Sequence, residues 1–251
     1  MKLLQINVWQ GRLLRPLLRL IADVQPDVIF AQEIYSFSGL VSLDSPWNYF
    51  GTLELIAAQS RFKYAHFSPA SIFPMFGHQL GYGNAILSTY EPSHFSTHYT
   101  GGDGPMHINS PASFDGNNGR NFQHLTISDG QREINLINHH AHWLNQPLGD
   151  ETSIKKLQLV ANYVNALSSP VVVAGDFNVL PTSPAMIKFE KSVGFTNLTT
   201  MSQTKSTLSA AHYMKNIVCD YVLTSPDIEI RNVQILDALV SDHRAILAEI
   251  N

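Results

Sequence analysis

The chain has 251 residues, of which 44% are hydrophobic and 14% are charged, against about 25% charged residues in a typical globular domain. This composition excludes intrinsic disorder as the main state, because enough apolar side chains are present to form a core. With 16 Lys and Arg against 20 Asp and Glu, the net charge is -4, which argues against tight, nonspecific binding of DNA by an overall positive field.

The length suits one α/β or all-β domain, and no linker-like stretch or run of like charges divides it, so a single domain over residues 1–251 is predicted. Cys219 has no second cysteine with which to form an internal disulfide. No apolar run approaches the ~18 residues of a membrane span, and the first residues become polar too early for a signal peptide. We therefore expect a cytoplasmic protein without a membrane span.

Runs of β-branched residues, or of alternating apolar and polar residues, predict strands along the whole chain. The predicted strands cover residues 3–8, 28–32, 83–88, 122–127, 134–139, 170–174, 220–223 and 245–250. Helical spacing of apolar residues predicts helices over 13–24, 152–167 and 184–193, the second capped by Asp150 or Thr152 and the third ended by Gly194.

Few helices among many strands favour two packed sheets flanked by helices over a regular βαβ arrangement. Residues 100–119 are rich in Gly, Asn, Ser and Pro and show no period. A loop of that length is expected to be functional or mobile.

Polar residues follow the ends of several predicted strands, where a sheet protein assembles sites from remote segments. They are Asn7, Glu33, His139, His140, Asp176, Asn178, Asp220, Asp242 and His243. Each alone has an ordinary alternative, since Gly175-Asp176 is also a turn signal and a carboxylate such as Glu33 beside a buried run is also found in salt bridges. Their combination carries more information than any one of them.

The order of these motifs over the whole chain resembles the endonuclease/exonuclease/phosphatase superfamily, the deoxyribonuclease-like hydrolases. The matching segments are Asn7, Gln32-Glu33, Gly81 to Ser88, Asn138-His139-His140, Gly175-Asp176-Phe177-Asn178, Asp220 to Leu223 and Ser241-Asp242-His243. The resemblance implies an α/β fold, a four-layer α/β sandwich of two mixed β-sheets flanked by helices. It also implies cleavage of phosphate esters with a divalent cation, Mg²⁺ or Mn²⁺.

Carried over residue by residue, the resemblance makes Glu33 the main metal ligand, with Asn7 and Asp242 beside it. Asp176 and Asn178 resemble the pair that orients the attacking water and contacts the phosphate. The remaining matches are His140 for the histidine of an Asn-Thr-His-Leu motif, Asp220 with His243 for a carboxylate–histidine pair, and Arg120 for a substrate-binding arginine. Because His139 replaces the Thr of that motif and Ala141 the Leu, whether His139 or His140 faces the site stays open.

The same residues suit this chemistry on general grounds, because Mg²⁺ prefers oxygen ligands such as carboxylates. Phosphate-ester hydrolysis needs charge neutralisation, an activated water and a departing oxygen. His139, His140 and His142 crowd one segment, but they lack the further Asp and His of a dinuclear zinc site.

The substrate is less determined than the reaction. Between Lys63 and Lys155 the only basic residues are Arg120 and Arg132, so a phosphodiesterase is favoured over a nuclease, which needs a basic groove. Nucleic acid remains the runner-up substrate. A catalytically decayed binding module is the alternative outside enzymes, and it would show no metal-dependent turnover.

Overall fold

A computed structural model describes residues 1–109, 119–168 and 170–251 of the chain. Its strands in chain order are β1 (Lys2–Asn7), β2 (Val28–Phe37), β3 (Tyr64–Met75), β4 (His78–Ser88), β5 (Pro92–Tyr99), β6 (Met106–His107), β7 (Asn121–Ser128), β8 (Glu133–His140), β9 (Val171–Asp176), β10 (Thr196–Asn197), β11 (Asp220–Thr224), β12 (Ile230–Ile235) and β13 (Ile246–Ile250). Its α-helices are α1 (Leu14–Val24), α2 (Thr52–Ala58), α3 (Glu151–Asn165), α4 (Pro184–Val193) and α5 (Leu198–Met201).

The strands form two mixed sheets. The order is β12-β13-β1-β2-β4-β3-β6 in the first and β10-β11-β9-β8-β7-β5 in the second. β1 runs parallel to β2, β3 to β6 and β8 to β9, whereas the other neighbouring strands are antiparallel. The predicted pair of mixed sheets is confirmed.

Three apolar layers hold the sandwich together. Helices α1 and α2 cover the outer face of the first sheet, where Leu17 and Ile56 are buried. Between the sheets, Phe30 from β2 and Val172 from β9 belong to one cluster. Helices α3 and α4 cover the outer face of the second sheet. The order of layers is therefore helix, sheet, sheet, helix, which confirms the predicted four-layer fold.

All eight predicted strands and all three predicted helices are present; α4 has the predicted ends and the others are shifted. The carboxylate of Asp150 accepts a hydrogen bond from Ser153 N at the start of α3, and Gly194 ends α4 in the left-handed conformation with φ 67°. The prediction that residues 100–119 form an unstructured loop is partly wrong, because Met106–His107 pairs with β3. Residues 110–118 of that segment lie outside the described part of the chain.

Several elements escaped prediction, among them β3, β5, β12 and α2. β3 contains two prolines, Pro69 and Pro74, and proline disfavours a strand assignment because it cannot donate a hydrogen bond. β5 and β12 are edge strands with few buried residues. Their sequences lack the apolar alternation of a strand with one buried face.

Candidate active site

The facing surfaces of the two sheets become polar toward one end of the sandwich. On β1 the inward positions lead from Leu3 to Asn7, and on β9 they lead from Val172 to Asp176. Alternate residues of a strand share a face, so the apolar packing of the sandwich places these polar ends together. Asn7 Nδ2 donates to Asp176 Oδ2 at 3.1 Å across the two sheets.

Asp176 lies at the centre of this polar end and is 1% exposed. Asn178 N donates to its Oδ1 at 3.0 Å. Its Oδ2 lies 3.7 Å from His140 Nε2 and 3.9 Å from His243 Nε2. Burial, followed by the negative charge of Asp220, raises the pKa of Asp176 to about 7. A carboxylate with such a pKa can exchange a proton near neutral pH.

Asp220 and His243 form a buried pair beneath Asp176. The two carboxylate oxygens of Asp220 lie 2.9 and 3.0 Å from His243 Nδ1, and Gln5 Nε2 donates to Asp220 Oδ1 at 3.1 Å. Burial alone lowers the pKa of His243, but the charges of Asp220 and Asp176 outweigh it and raise that pKa to about 10. His243 is therefore an imidazolium at neutral pH, and the structure brings together the two residues that the resemblance paired.

His140, and not His139, faces the site. Strand alternation places His140 on the inner face, where its Nε2 lies 3.9 Å from Glu33 Oε1. His139 points outward and packs edge-on against the ring of Phe177, with ring centroids 5.6 Å apart. Burial, followed by the positive charge of Arg120, lowers the pKa of His140 well below its usual value, so its imidazole is neutral at pH 7.

A β-bulge presents Glu33 at the mouth of the site. The pairing of β2 with β4 shifts register between Ala31 and Ile34, and both of these residues pack in the outer core although they are three positions apart. Glu33 is the extra residue and has φ 54°. Bulges commonly redirect a side chain next to a site, and here the bulge keeps a carboxylate out of the core.

Glu33 and Asp242 have the character of ligands for a hard cation. Burial raises the pKa of Asp242, the positive charge of His243 opposes this, and the negative charge of Glu33 raises the pKa further. The carboxylates of Asp242 and Glu33 are thus close enough to interact. No Lys or Arg in the described parts of the chain lies within 4.0 Å of either carboxylate. Two carboxylates at one mouth, without a Lys or Arg partner, fit a divalent cation.

Two sets of His, Cys, Asp and Glu side chains have ligand atoms within 4.8 Å of one another in the described chain. One is His212, Asp242 and His243, which includes a proposed ligand. The other is Cys219, Asp220 and His243, which is fully buried and in which the imidazole and the carboxylate already bind each other. His243 belongs to both sets and, as an imidazolium, has no free lone pair for a metal. Asp242 is therefore the candidate ligand of the first set.

Two residues of the Gly-Asp-Phe-Asn segment, Gly175 and Asn178, have positive φ angles. Gly175 has φ 152°, and a Cβ there would lie 1.9 Å from the carbonyl oxygen of His139 on β8. Only glycine allows this approach of the two strands. Asn178 has φ 54°, and its Nδ2 donates to the carbonyl oxygen of Ala141 at 3.3 Å.

The comparisons with known proteins agree with this arrangement. The model of the "Endonuclease/Exonuclease/phosphatase family" matches residues 4–243. The chain belongs to this family. Proteins of the endonuclease/exonuclease/phosphatase family generally hydrolyse phosphate esters with a divalent metal, which supports the same class of activity here. A search of curated proteins found no match.

Solved structures share the fold at low sequence identity. An endonuclease/exonuclease/phosphatase family protein from Leptotrichia buccalis is 20% identical with a TM-score of 0.71, covering 100% of this chain and 99% of that one. A mannosyl-6-phosphatase from Bacteroides thetaiotaomicron is 13% identical with a TM-score of 0.73 and coverages of 100% and 99%. D. rerio TDP2 complexed with a single-stranded DNA product is 14% identical, with a TM-score of 0.70 and coverages of 100% and 98%.

A layer of buried amides beneath the site of this family member was not predicted. Gln32 Nε2 donates to Asn138 Oδ1 at 2.6 Å between the two sheets. Asn138 Nδ2 lies 2.9 Å from Gln123 Oε1 and 3.0 Å from the carbonyl oxygen of Ala85. The sequence does show amide residues near several strand ends. Which of these amides form hydrogen bonds with one another is seen only in the packed sheets.

The walls of the cleft also escaped prediction. A cleft of about 170 Å³ opens over Glu33, Asp176 and His243. Its outer walls come from residues outside the β-strands and α-helices, Trp9, Trp143, Leu208, His212 and Met214. Such connecting segments carry no periodicity from which their side-chain positions follow. Only Trp9, two residues beyond Asn7, and Trp143, two residues beyond Ala141, lie next to a motif.

Arg120 lies close to the site although its side chain is 4% exposed. It precedes β7, and its carbonyl oxygen accepts hydrogen bonds from Thr100 N at 2.9 Å and Thr100 Oγ1 at 3.1 Å. Its positive charge acts on His140, as described above. The structure thus places this buried cation near the inward histidine, and its contact with substrate stays a prediction. No helix in the described chain is long and apolar enough to cross a membrane.

Proposed function

We propose that this protein is a phosphodiesterase in which an activated water attacks phosphorus in line with the leaving oxygen. The observation that carries the proposal is the position of Asp176, whose Oδ2 lies within 4 Å of both His140 Nε2 and His243 Nε2. A proton acceptor, a neutral imidazole and an imidazolium thus surround one point at the mouth of the sandwich. Water attack on an anionic ester needs such groups together.

Glu33 and Asp242 would hold the divalent cation, Mg²⁺ or Mn²⁺, with Asn7 beside them. When bound, the cation would neutralise negative charge on the phosphoryl oxygens. Asn7 already accepts a hydrogen bond from Trp9 N at 3.0 Å and donates to Asp176. Its contribution beyond any contact with the cation is to fix the orientation of the Asp176 carboxylate.

The remaining roles follow from protonation states. Asp176 accepts the proton of the attacking water as the bond from oxygen to phosphorus forms. Asn178, which donates to Asp176 through its backbone N–H, positions the water and contacts the phosphate. The His243 imidazolium stabilises negative charge on the phosphoryl oxygens, and neutral His140 donates a hydrogen bond to the phosphate. The leaving oxygen departs with the electron pair of the broken bond and takes up a proton from solvent.

A substrate panel in Mg²⁺ or Mn²⁺ tests this proposal. It would include a nitrophenyl phosphodiester, single- and double-stranded DNA, RNA, a phospholipid and an inositol phosphate. Asp176→Asn should lower kcat by about 10²–10⁴-fold, the usual effect of losing a general base. Asp23→Asn makes the same substitution at an exposed position and should leave kcat unchanged. Equal kcat in the wild type and Asp176→Asn would reject the role of Asp176.

Nuclease activity is the second candidate, since TDP2 with this fold has been solved with a DNA product. Against it stand the net charge of -4 and the carboxylates of the cleft. Affinity for duplex DNA should therefore be weak and should vary little with salt. A slope corresponding to six or more phosphate contacts, at about 0.9 log units per contact, would place nuclease ahead of phosphodiesterase.

A further inference from the structure

Three basic residues, Arg120, Lys156 and His142, lie beside the proposed catalytic residues. Lys156 and His142 take no part in the steps above, and Arg120 has only its expected contact with substrate. We call Arg120, Lys156 and His142 the basic cluster. Arg120 is the most buried, and no described residue accepts a hydrogen bond from its Nε or Nη1. No described carboxylate lies within 4.0 Å of it. Among the described residues this buried cation therefore lacks a counter-charge, and an anionic ligand would supply one.

Lys156 reaches the same region from α3. Its Nζ lies 3.2 Å from the position that a Cβ on Gly101 would take, and Gly101 follows Thr100, which bonds the backbone of Arg120. Burial lowers the pKa of Lys156, and the positive charge of Arg120 lowers it further. The two cations are therefore close enough to repel each other.

Asp150, the carboxylate whose charge acts on Lys156, is already engaged elsewhere. Asp150 favours the charged form of Lys156 but lies more than 4.0 Å from it, because no ion pair joins them. Its Oδ1 instead accepts hydrogen bonds from Ser153 N at 2.7 Å and Ser153 Oγ at 3.0 Å. Asp150 caps the helix and leaves the charge of Lys156 largely uncompensated.

His142 completes the cluster. Its Nδ1 is buried without a hydrogen-bond partner among the described residues. Burial lowers its pKa, followed by the charge of Lys156. Arg120 lowers the pKa of both His140 and His142, so the basic cluster extends outward from the catalytic histidine.

We propose that the basic cluster is a subsite for a second phosphate group of the substrate, next to the phosphate ester that is cleaved. This inference rests on the proposed function and adds a substrate class, namely esters that carry a further phosphomonoester. The scissile diester has one negative charge, which His243 and a bound divalent cation would neutralise. A phosphomonoester carries about −1.5 to −2 charges near neutral pH, which matches the additional charges of Arg120 and Lys156.

A pair of substrates tests the subsite. One is a 4-nitrophenyl alkyl phosphate, and the other is the same diester with a phosphomonoester on the alkyl group. Wild-type protein should prefer the second in kcat/KM. In Lys156→Gln this preference should fall about tenfold, the effect expected from one charge-assisted contact. Lys155→Gln, its exposed neighbour on α3, should keep the wild-type preference. No preference in the wild type would overturn the proposal.

Binding of pyrophosphate to the metal-free protein separates this proposal from the proposed function. Calorimetry should give an affinity that Lys156→Gln weakens about tenfold and that Lys155→Gln leaves unchanged. Equal affinity in wild type and Lys156→Gln would reject the subsite even if phosphodiesters are hydrolysed. Pyrophosphate binding of the expected pattern without hydrolysis of any ester would instead retain the anion site and reject the proposed function.

Arg120→Met distinguishes a binding role from a structural one. If Arg120 serves an anion, this variant should bind pyrophosphate more weakly without a lower free energy of unfolding, because it removes an uncompensated buried charge. Unchanged pyrophosphate binding together with lower stability would show that Arg120 supports the fold and would overturn its place in the subsite.

Discussion

The Asp220 carboxylate lies 2.9 Å from His243 Nδ1, and 22 residues separate the two in sequence. Asp220 is 0% exposed, and a buried carboxylate of this kind needs a hydrogen-bonding partner. The carboxylate also keeps His243 charged, because together with Asp176 it overcomes the effect of burial on the pKa of the imidazole. This one contact therefore stabilises the fold and sets the charge at the mouth of the cleft.

Asp220→Asn should keep a hydrogen bond to His243 but remove the negative charge that raises its pKa. His243 would then lose its proton at a lower pH than the wild-type value of about 10. The alkaline limb of the pH–rate profile should shift toward neutral pH, as measured by kcat/KM between pH 6 and 11. An alkaline limb at the wild-type position would contradict the proposed imidazolium role, and Asp23→Asn provides the surface control.

Glu33→Gln should weaken activation by Mg²⁺ severely while the protein stays folded. The side chain is 21% exposed and lies at a bulge. We therefore expect its charge to bind the metal ion and to contribute little to the stability of the core. The checks are the Mg²⁺ concentration for half-maximal activity and the melting temperature. Exposed Glu91→Gln is the matched control. Unchanged metal dependence would remove Glu33 from the ligand set.

Asn138→Ala should destabilise the protein, because it leaves the donor of Gln32 and the acceptor of Gln123 without their partner between the sheets. Each buried polar group left unsatisfied costs about 1–3 kcal/mol, so a loss of roughly 2–5 kcal/mol in the free energy of unfolding is expected. Urea denaturation measures it. Asn145→Ala, in an exposed position, should change little, and an equally small effect at Asn138 would mean that the amide layer contributes little stability.

His139→Gln should make the protein less sensitive to acid. Burial lowers the pKa of His139 from 6.5 to about 3 in the folded state, so below pH 6.5 the unfolded chain binds a proton that the folded chain refuses. Stability is thus lost as the pH falls from about 6.5 toward 3, by up to about 1.4 kcal/mol per pH unit. A glutamine at this position does not titrate, so the substitution would remove this loss.

The measurement is the free energy of unfolding in urea between pH 7 and 4. The slope against pH should be shallower in His139→Gln than in the wild type, whereas exposed His107→Gln should retain the wild-type slope. Parallel curves for His139→Gln and the wild type would mean that His139 is protonated in the folded protein.

The sequence by itself determined the central strands, the main helices and the order of the polar motifs. These features are local, since a buried strand needs an apolar run and a strand end can expose a polar side chain. The resemblance added the four-layer arrangement, and packing of α1 and α3 on opposite outer faces agrees with it. The edge strands β5 and β12 were missed because their residues are only partly buried or exposed, so their sequences carry a weak apolar pattern.

Only the tertiary structure decided which polar groups meet. His139 and His140 are equivalent in sequence until the second sheet determines which face is inward. Glu33 reaches the mouth because a bulge shifts the register of β2, and Arg120 is buried beside His140 because β7 pairs with β8. Burial depends on contacts between segments distant in the chain. The same contacts determine the pKa of Asp176 and of His243, because charge separation and desolvation act through space.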